Sequence, residues 1–189
     1  MTSRGLTDAA SAAGVAAFDA LPDHDAAAVL ESCCGSLAWV QAMVAHRPFR
    51  TVSRLLDEAD AIWWSLGPED WREAFDHHPR IGEREAAVPQ GSAARAWSAE
   101  EQRGVAATGE DTRQALAEGN REYERRFGHI YLVCATGKSA EEMLALLRQR
   151  LSNDAATELR VAAGEQAKIT RLRLEKLFRA PDSTSNHPS

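Results

Sequence analysis

The sequence predicts an all-α protein, a single compact domain of many helices. Apolar residues recur at three- and four-residue spacing, the repeat of one helix face, while strand-like alternation is almost absent. The segments between these runs carry helix punctuation: Ser, Thr or Asp where a helix opens, Gly or Pro where it stops.

That punctuation places each element. Ala13 to Leu21 forms a first helix, stopped by Pro22, and Asp25 to Cys34 a second, with Gly35 at its end. Ser36 caps a third through about Ala45, before Arg47-Pro48. Thr51 or Ser53 starts a fourth, which passes through Trp63 and Trp64 and ends at Gly67. Pro68 suits the first turn of a short fifth helix ending near His77, with Trp71 and Phe75 one turn apart on one face. Glu83 to Ala96 is poor in large apolar residues and reads as a mobile loop or an irregular short helix. Ser98 opens a helix toward Ala107, and Asp111 or Thr112 a longer one through Arg126, ended by Gly128. Ser139 and Glu142 form a capping box for a helix to Leu151. Asp154 caps the last helix, which runs to about Phe178 with a buried stripe of Leu159, Ala163, Ile169, Leu172 and Leu177. Ile130 to Ala135 is a short apolar run that periodicity assigns neither to a strand nor to a helix. There are no internal repeats and no linker. Residues 1 to 180 read as the domain, and the polar segment Pro181 to Ser189 as a disordered tail.

Composition narrows the function classes. With 189 residues, 44% hydrophobic and 26% charged, the chain can bury one real core. A net charge of −6 argues against a nucleic-acid binder, though a local arginine cluster can still hold a small anion. No apolar run approaches the roughly 20 residues of a membrane span. The N-terminus shows no signal-peptide pattern. Of three cysteines, Cys33 and Cys34 are adjacent and cannot easily bridge each other, which fits a reducing compartment and a cytoplasmic location.

Chemistry concentrates at Asp76-His77-His78-Pro79-Arg80-Ile81-Gly82. Proline disfavours helix for the residue before it, so His78 is pushed out of the helix toward an extended conformation. A group titrating near neutral pH, a fixed positive charge and a tight bend fall together, which suits acid–base work on a small anion. The plainer reading is a helix-terminating histidine that bonds a free carbonyl. Ser98, Glu101 and Gln102 gather at a helix start, where free N–H groups and the positive dipole end attract an anion. Ser98 with Glu101 is also an ordinary capping box. For a metal, His77, His78, Cys33, Cys34, Asp76 and His129 are the available ligands, but none shows the spacing of a metal site. No phosphate loop or dinucleotide fingerprint is present.

Five blocks in register resemble one family. They are Cys33-Cys34-Gly35-Ser36 with Trp39 and Arg47-Pro48-Phe49; His78-Pro79-Arg80-Ile81-Gly82; and Trp97-Ser98 with Glu101-Gln102-Arg103-Gly104. Asn120, Tyr123, Arg126-Phe127-Gly128 and Tyr131-Leu132-Val133-Cys134-Ala135 make the fourth, and Glu165, Lys168-Ile169-Thr170 and Arg173-Leu174 the fifth. Over roughly residues 14 to 178 the chain is similar to 2-oxo-4-hydroxy-4-carboxy-5-ureidoimidazoline (OHCU) decarboxylases, which form S-allantoin and CO2 at the end of urate degradation. The resemblance implies an all-helical, cofactor-free and metal-free enzyme, a homodimer, acting on a small ureide. It implies His78 and Glu101 as catalytic, with His77 a bystander. It implies substrate contacts from Pro79, Ser98, Gln102 and the backbone of Tyr131, Leu132, Val133, Cys134 and Ala135. The family usually has phenylalanine where Tyr131 stands. Arg80, Arg126 and Arg173 are candidates for the substrate carboxylate. The rival reading is a non-catalytic helical interaction module whose last helix binds a partner. A decarboxylase of the same fold acting on a related ureide is a third.

Overall fold

The computed structural model describes residues 14–81 and 109–178. Every regular element among them is a helix. In chain order these are α1 (14–19), α2 (Asp23–Glu31), α3 (Leu37–Ala45), α4 (Val52–Ser65), α5 (Pro68–Asp76), α6 (Glu110–Phe127), α7 (Ala140–Arg150) and α8 (Ala155–Phe178). The expected segment Glu83 to Ala96, the helix from Ser98 toward Ala107 and the tail from Pro181 lie outside the described residues.

Four caps sit where the sequence places them, whereas α6 opens at Glu110 after Gly109, with the expected caps Asp111 and Thr112 inside the helix, and α2 opens at Asp23 rather than Asp25. Ser36 Oγ accepts the Trp39 amide at 3.3 Å, and Thr51 Oγ1 accepts that of Arg54 at 3.2 Å. Ser139 and Glu142 exchange side-chain bonds with each other's amides at 3.2 and 2.7 Å, a complete capping box. Asp154 Oδ1 takes the amides of Ala156 and Thr157, both at 3.0 Å. Gly128 closes α6 in the left-handed region at φ 73°, a conformation glycine adopts without cost.

Helix α2 differs from expectation. It ends at Glu31 rather than Cys34, and Gly35 does not act as a left-handed stop. Gly35 instead lets the His77 ring approach: a Cβ there would lie 2.2 Å from His77 Cγ.

Two apolar clusters form the interior. One joins α2, α3, α4, α5 and α8 through residues such as Leu30, Trp39, Leu55, Trp63, Phe75 and Leu174. The other lies between α6 and α7 around Leu116, Tyr123, Met143 and Leu147. Leu159, Ala163 and Ile169 of α8 are buried as expected, whereas Leu172 and Leu177 are only half-buried.

The ambiguous run 130–135 is neither helix nor paired strand. Its side chains nevertheless alternate. Ile130, Leu132 and Cys134 enter the first cluster, and Tyr131, Val133 and Ala135 enter the second. A chain between two cores must alternate in this way, and with no neighbouring strand its backbone needs other partners. Side chains supply them. Arg150 Nη1 donates to Leu132 O at 2.8 Å, Lys138 Nζ donates to Cys134 O at 2.7 Å, and Glu165 Oε2 accepts the Cys134 amide at 2.8 Å.

Candidate active site

Helix α5 delivers two histidines, and the structure separates their roles. His77 caps the helix; its Nδ1 sits 2.9 Å from Glu73 O, one turn back, and its ring packs on Gly35. The helix-terminating role thus falls to His77. The His78 amide still donates to Phe75 O at 3.0 Å, but its side chain turns inward and is 6% exposed.

The turn after His78 is fastened to α6. Asn120 Nδ2 donates to Ile81 O at 2.8 Å. The Arg80 guanidinium grips Glu124 in bidentate fashion, Nε to Oε1 at 2.6 Å and Nη2 to Oε2 at 3.0 Å. Pro79 is half-buried beside these anchors. The helix on one side of His78 and these bonds on the other hold the motif in place.

The wall facing His78 comes from α8. Gln166, Thr170 and Arg173 are all buried, and their spacing of four and three puts them on one helical face. Burial, the positive charge of Arg173 and the neighbouring His77 hold the His78 pKa down at about 3, with only Gln166 acting in the opposite direction. His78 is accordingly neutral at physiological pH. Cys33 and Cys34 lie against the same arginine. Burial pushes their thiols up to about 12 and about 11, so they are unreactive thiols, and neither forms a disulfide.

Of the three candidate arginines, only Arg173 lies beside His78. Arg80 is bound to Glu124. Arg126 donates to Asn153 O at 3.2 Å and lies over the Phe127 ring. A buried guanidinium next to a neutral imidazole is suited to an anionic ligand and a proton acceptor acting on it.

The segment 131–135 meets α8 one residue away, through Glu165. Burial would raise the Glu165 pKa, but hydrogen bonds from Lys168 and the Cys134 amide bring it below the usual carboxylate range. The Cys134 N–H is thereby committed to a protein carboxylate, so any amide of this run that reads a ligand is a different one. The Tyr131 hydroxyl, which stands where the family usually has none, donates to Met143 O at 3.0 Å and anchors α7. All five residues are buried.

Behind the run lies a charged network. Arg150 Nε donates to Glu158 Oε1 at 2.7 Å and its Nη2 to the Tyr123 hydroxyl at 3.2 Å. That hydroxyl donates to Glu158, and Asn153 Nδ2 donates to Glu158 Oε2 at 2.7 Å.

Ser98, Glu101 and Gln102 lie outside the described residues. Among the described residues no three His, Cys, Asp or Glu side chains gather as a metal-holding group. No helix there is long and apolar enough to cross a membrane. A separate open groove of about 810 Å³ between α6 and α7, lined by Glu118, Arg121, Glu122 and Leu144 among others, contains neither His78 nor Arg173. Its charges are those of a solvated helix surface.

Sequence reasoning did not single out Gln166 or the Arg150–Glu158 pair. The first left a signal: polar residues at 166, 170 and 173 fall on the stripe of α8 that should be apolar. The second joins two helices and left none.

The described residues thus form an all-helical fold in which His78, Arg173 and Gln166 are buried beside a clamped His-Pro-Arg turn. The OHCU decarboxylase family matches residues 19–175, and the chain belongs to it. It is 37% identical over 147 residues to the uric acid degradation bifunctional protein TTL of Arabidopsis thaliana, covering 77% of this chain and 45% of that protein. It is 39% identical over 62 residues to the 2-oxo-4-hydroxy-4-carboxy-5-ureidoimidazoline decarboxylase of Amia calva, covering 33% of this chain and 35% of that one. The chain thus spans less than half the length of these curated relatives. A solved OHCU decarboxylase, determined in the presence of (S)-allantoin, superimposes with a TM-score of 0.68 at 37% identity, covering 78% of this chain and 95% of that one.

Proposed function

We propose that the chain decarboxylates 2-oxo-4-hydroxy-4-carboxy-5-ureidoimidazoline to S-allantoin and CO2, closing the route from urate to allantoin. The observation that carries the reading is the neutral, buried His78 beside buried Arg173, in a member of this family.

The substrate supplies its own electron sink. The carbon that loses its carboxylate adjoins a ring C=N bond, which takes up the electron pair as CO2 departs. The product then forms as the hydroxyl gives up its proton, the carbonyl closes, and the ureido-bearing carbon accepts a proton on one face. A neutral imidazole has a lone pair free to accept the hydroxyl proton, but with its pKa held low it is a weak base until bound substrate raises it. Once charged it is a strong acid, suited to delivering that proton to carbon. Arg173 binds the anionic substrate, and the bound carboxylate offsets the arginine charge that, after burial, holds the His78 pKa down. Glu101 orients His78 or the ureido group, Ser98 and Gln102 hold the ureide, and Pro79 and the 131–135 backbone shape the pocket that sets the product's hand. No metal or organic cofactor takes part in this scheme.

We further infer a cytoplasmic homodimer. The three free, buried cysteines support a reducing location, and the dimer rests on family resemblance; sedimentation of the purified chain tests it. A non-catalytic interaction module is the weaker reading, because a buried arginine and imidazole are costly to keep without a use. The test is to supply freshly generated substrate and follow optical rotation. Dextrorotatory allantoin should accumulate faster than in the enzyme-free control. Racemic product at the uncatalysed rate would remove the proposal.

A further inference from the structure

Gln166 is fully buried on α8, and half of its amide has no partner. Nε2 donates to Thr170 Oγ1 at 3.0 Å, while Oε1 accepts no hydrogen bond. Leaving a buried amide oxygen unpaired costs on the order of 1–3 kcal/mol, so such an atom calls for an explanation. The bond to Thr170 fixes the orientation of the amide and turns Oε1 away from it. Gln166 is also a neighbour of the buried His78 ring, whose protonated form it favours. Among the described residues, the charged or titratable groups facing that ring are Arg173 from α8 and His77 from α5. The guanidinium can only donate, and His77 Nδ1 is committed to Glu73 O. Among the described residues, Gln166 is a neighbour of that ring whose buried acceptor oxygen is unpaired.

We propose that Gln166 is a positioning residue of His78, acting from α8 alongside any contribution of Glu101: its Oε1 accepts the ring N–H and so fixes which nitrogen is presented to the substrate. A general base works from one nitrogen only, and a third group that bonds the other sets tautomer and orientation together. A neutral amide does this without the electrostatic pull of a carboxylate, so His78 stays unprotonated until substrate arrives. Thr170 completes the chain by holding the amide in its productive flip. This rests on the decarboxylase reading for its consequence but not for its geometry.

The experiment is nitrogen-detected NMR of the histidine rings in the substrate-free protein, paired with steady-state kinetics. In the parent chain His78 should show one tautomer. Gln166→Met should give a tautomer mixture and lower kcat on the order of tenfold, the size of one net hydrogen bond, with KM within about twofold. Gln166→Glu should restore the single tautomer and move the acid limb of the kcat profile to higher pH. Thr170→Val, which leaves Gln166 in place but frees its amide, should give a smaller change in the same direction and serves should Gln166→Met fail to fold. An unchanged His78 tautomer in Gln166→Met and Thr170→Val would overturn the proposal. So would a loss confined to KM, which would make Gln166 a substrate ligand. Because the ring signals are read without substrate, a failure of the decarboxylase reading leaves them standing, and a failure here leaves parental turnover intact.

Discussion

His77 and His78 are neighbours in the chain, yet one peptide bond places them in different solvents. His77 is half-buried at the helix end and bonds a carbonyl, whereas His78 is buried beside an arginine. His78→Ala should therefore nearly abolish turnover with the fold retained, whereas His77→Ala should keep most of it and lose about 1 kcal/mol of stability. A dead His77→Ala with an active His78→Ala would reverse the assignment. Glu101→Ala should also abolish turnover; if it mainly lowers Tm, the capping box was its role. The depressed pKa has a signed consequence for stability. As pH drops through 6.5 the unfolded chain protonates this histidine, but the folded chain does so only near 3. The contribution is fully present above pH 6.5 and is lost as pH falls toward 3. Urea midpoints between pH 7 and pH 4 should decline less steeply in His78→Gln. Gly35→Ala makes a steric test: its Cβ meets the His77 ring at 2.2 Å, so a cost of about 1–3 kcal/mol is expected. Adding His77→Ala should recover most of it, and an additive double mutant would mean that the two do not touch.

At the scale of elements, the run 130–135 is the least autonomous part of the chain. It has no ladder, so its backbone depends on Arg150, Lys138 and Glu165. Arg150→Met leaves Glu158 buried without its cation, a change that typically costs about 3–5 kcal/mol. The expected outcome is a lower Tm together with faster amide exchange at Val133 and Cys134, ahead of exchange in α4. Exchange that rises uniformly through the protein would show that the network supports the fold at large and not this run.

At the scale of the molecule, α8 integrates the site. It packs on α4, α5 and α6, and through residues 165, 166 and 173 it serves both the 131–135 run and His78. The scheme needs no metal, so turnover should survive exhaustive chelation and gel filtration. Activity that disappears and returns only with an added divalent ion would refute acid–base chemistry by His78 alone and point to His77, His78 and Cys33 as ligands.

The helices were legible in the sequence because their causes are local. Caps such as Ser36, Thr51 and Ser139, the stop at Gly128 and the three-four spacing act within a turn or two of the chain. The stop expected at Cys34 was misplaced because Gly35 answers to His77, some forty residues away. The His-Pro turn was legible as the place where His78 leaves its helix, since proline dictates it, and the family blocks gave the family. Which arginine accompanies His78 was only faintly legible: the closing-helix block raised Arg173 slightly over Arg80 and Arg126, but what separates them is what each meets across the fold. The same holds for run 130–135. Its apolar letters state only that it is buried, whereas its alternation between two cores and its side-chain partners are long-range facts. Residue type and spacing determined the elements and singled out His78; tertiary packing decided the environment of that histidine, because burial and charge at a site are sums over neighbours that the chain order does not contain.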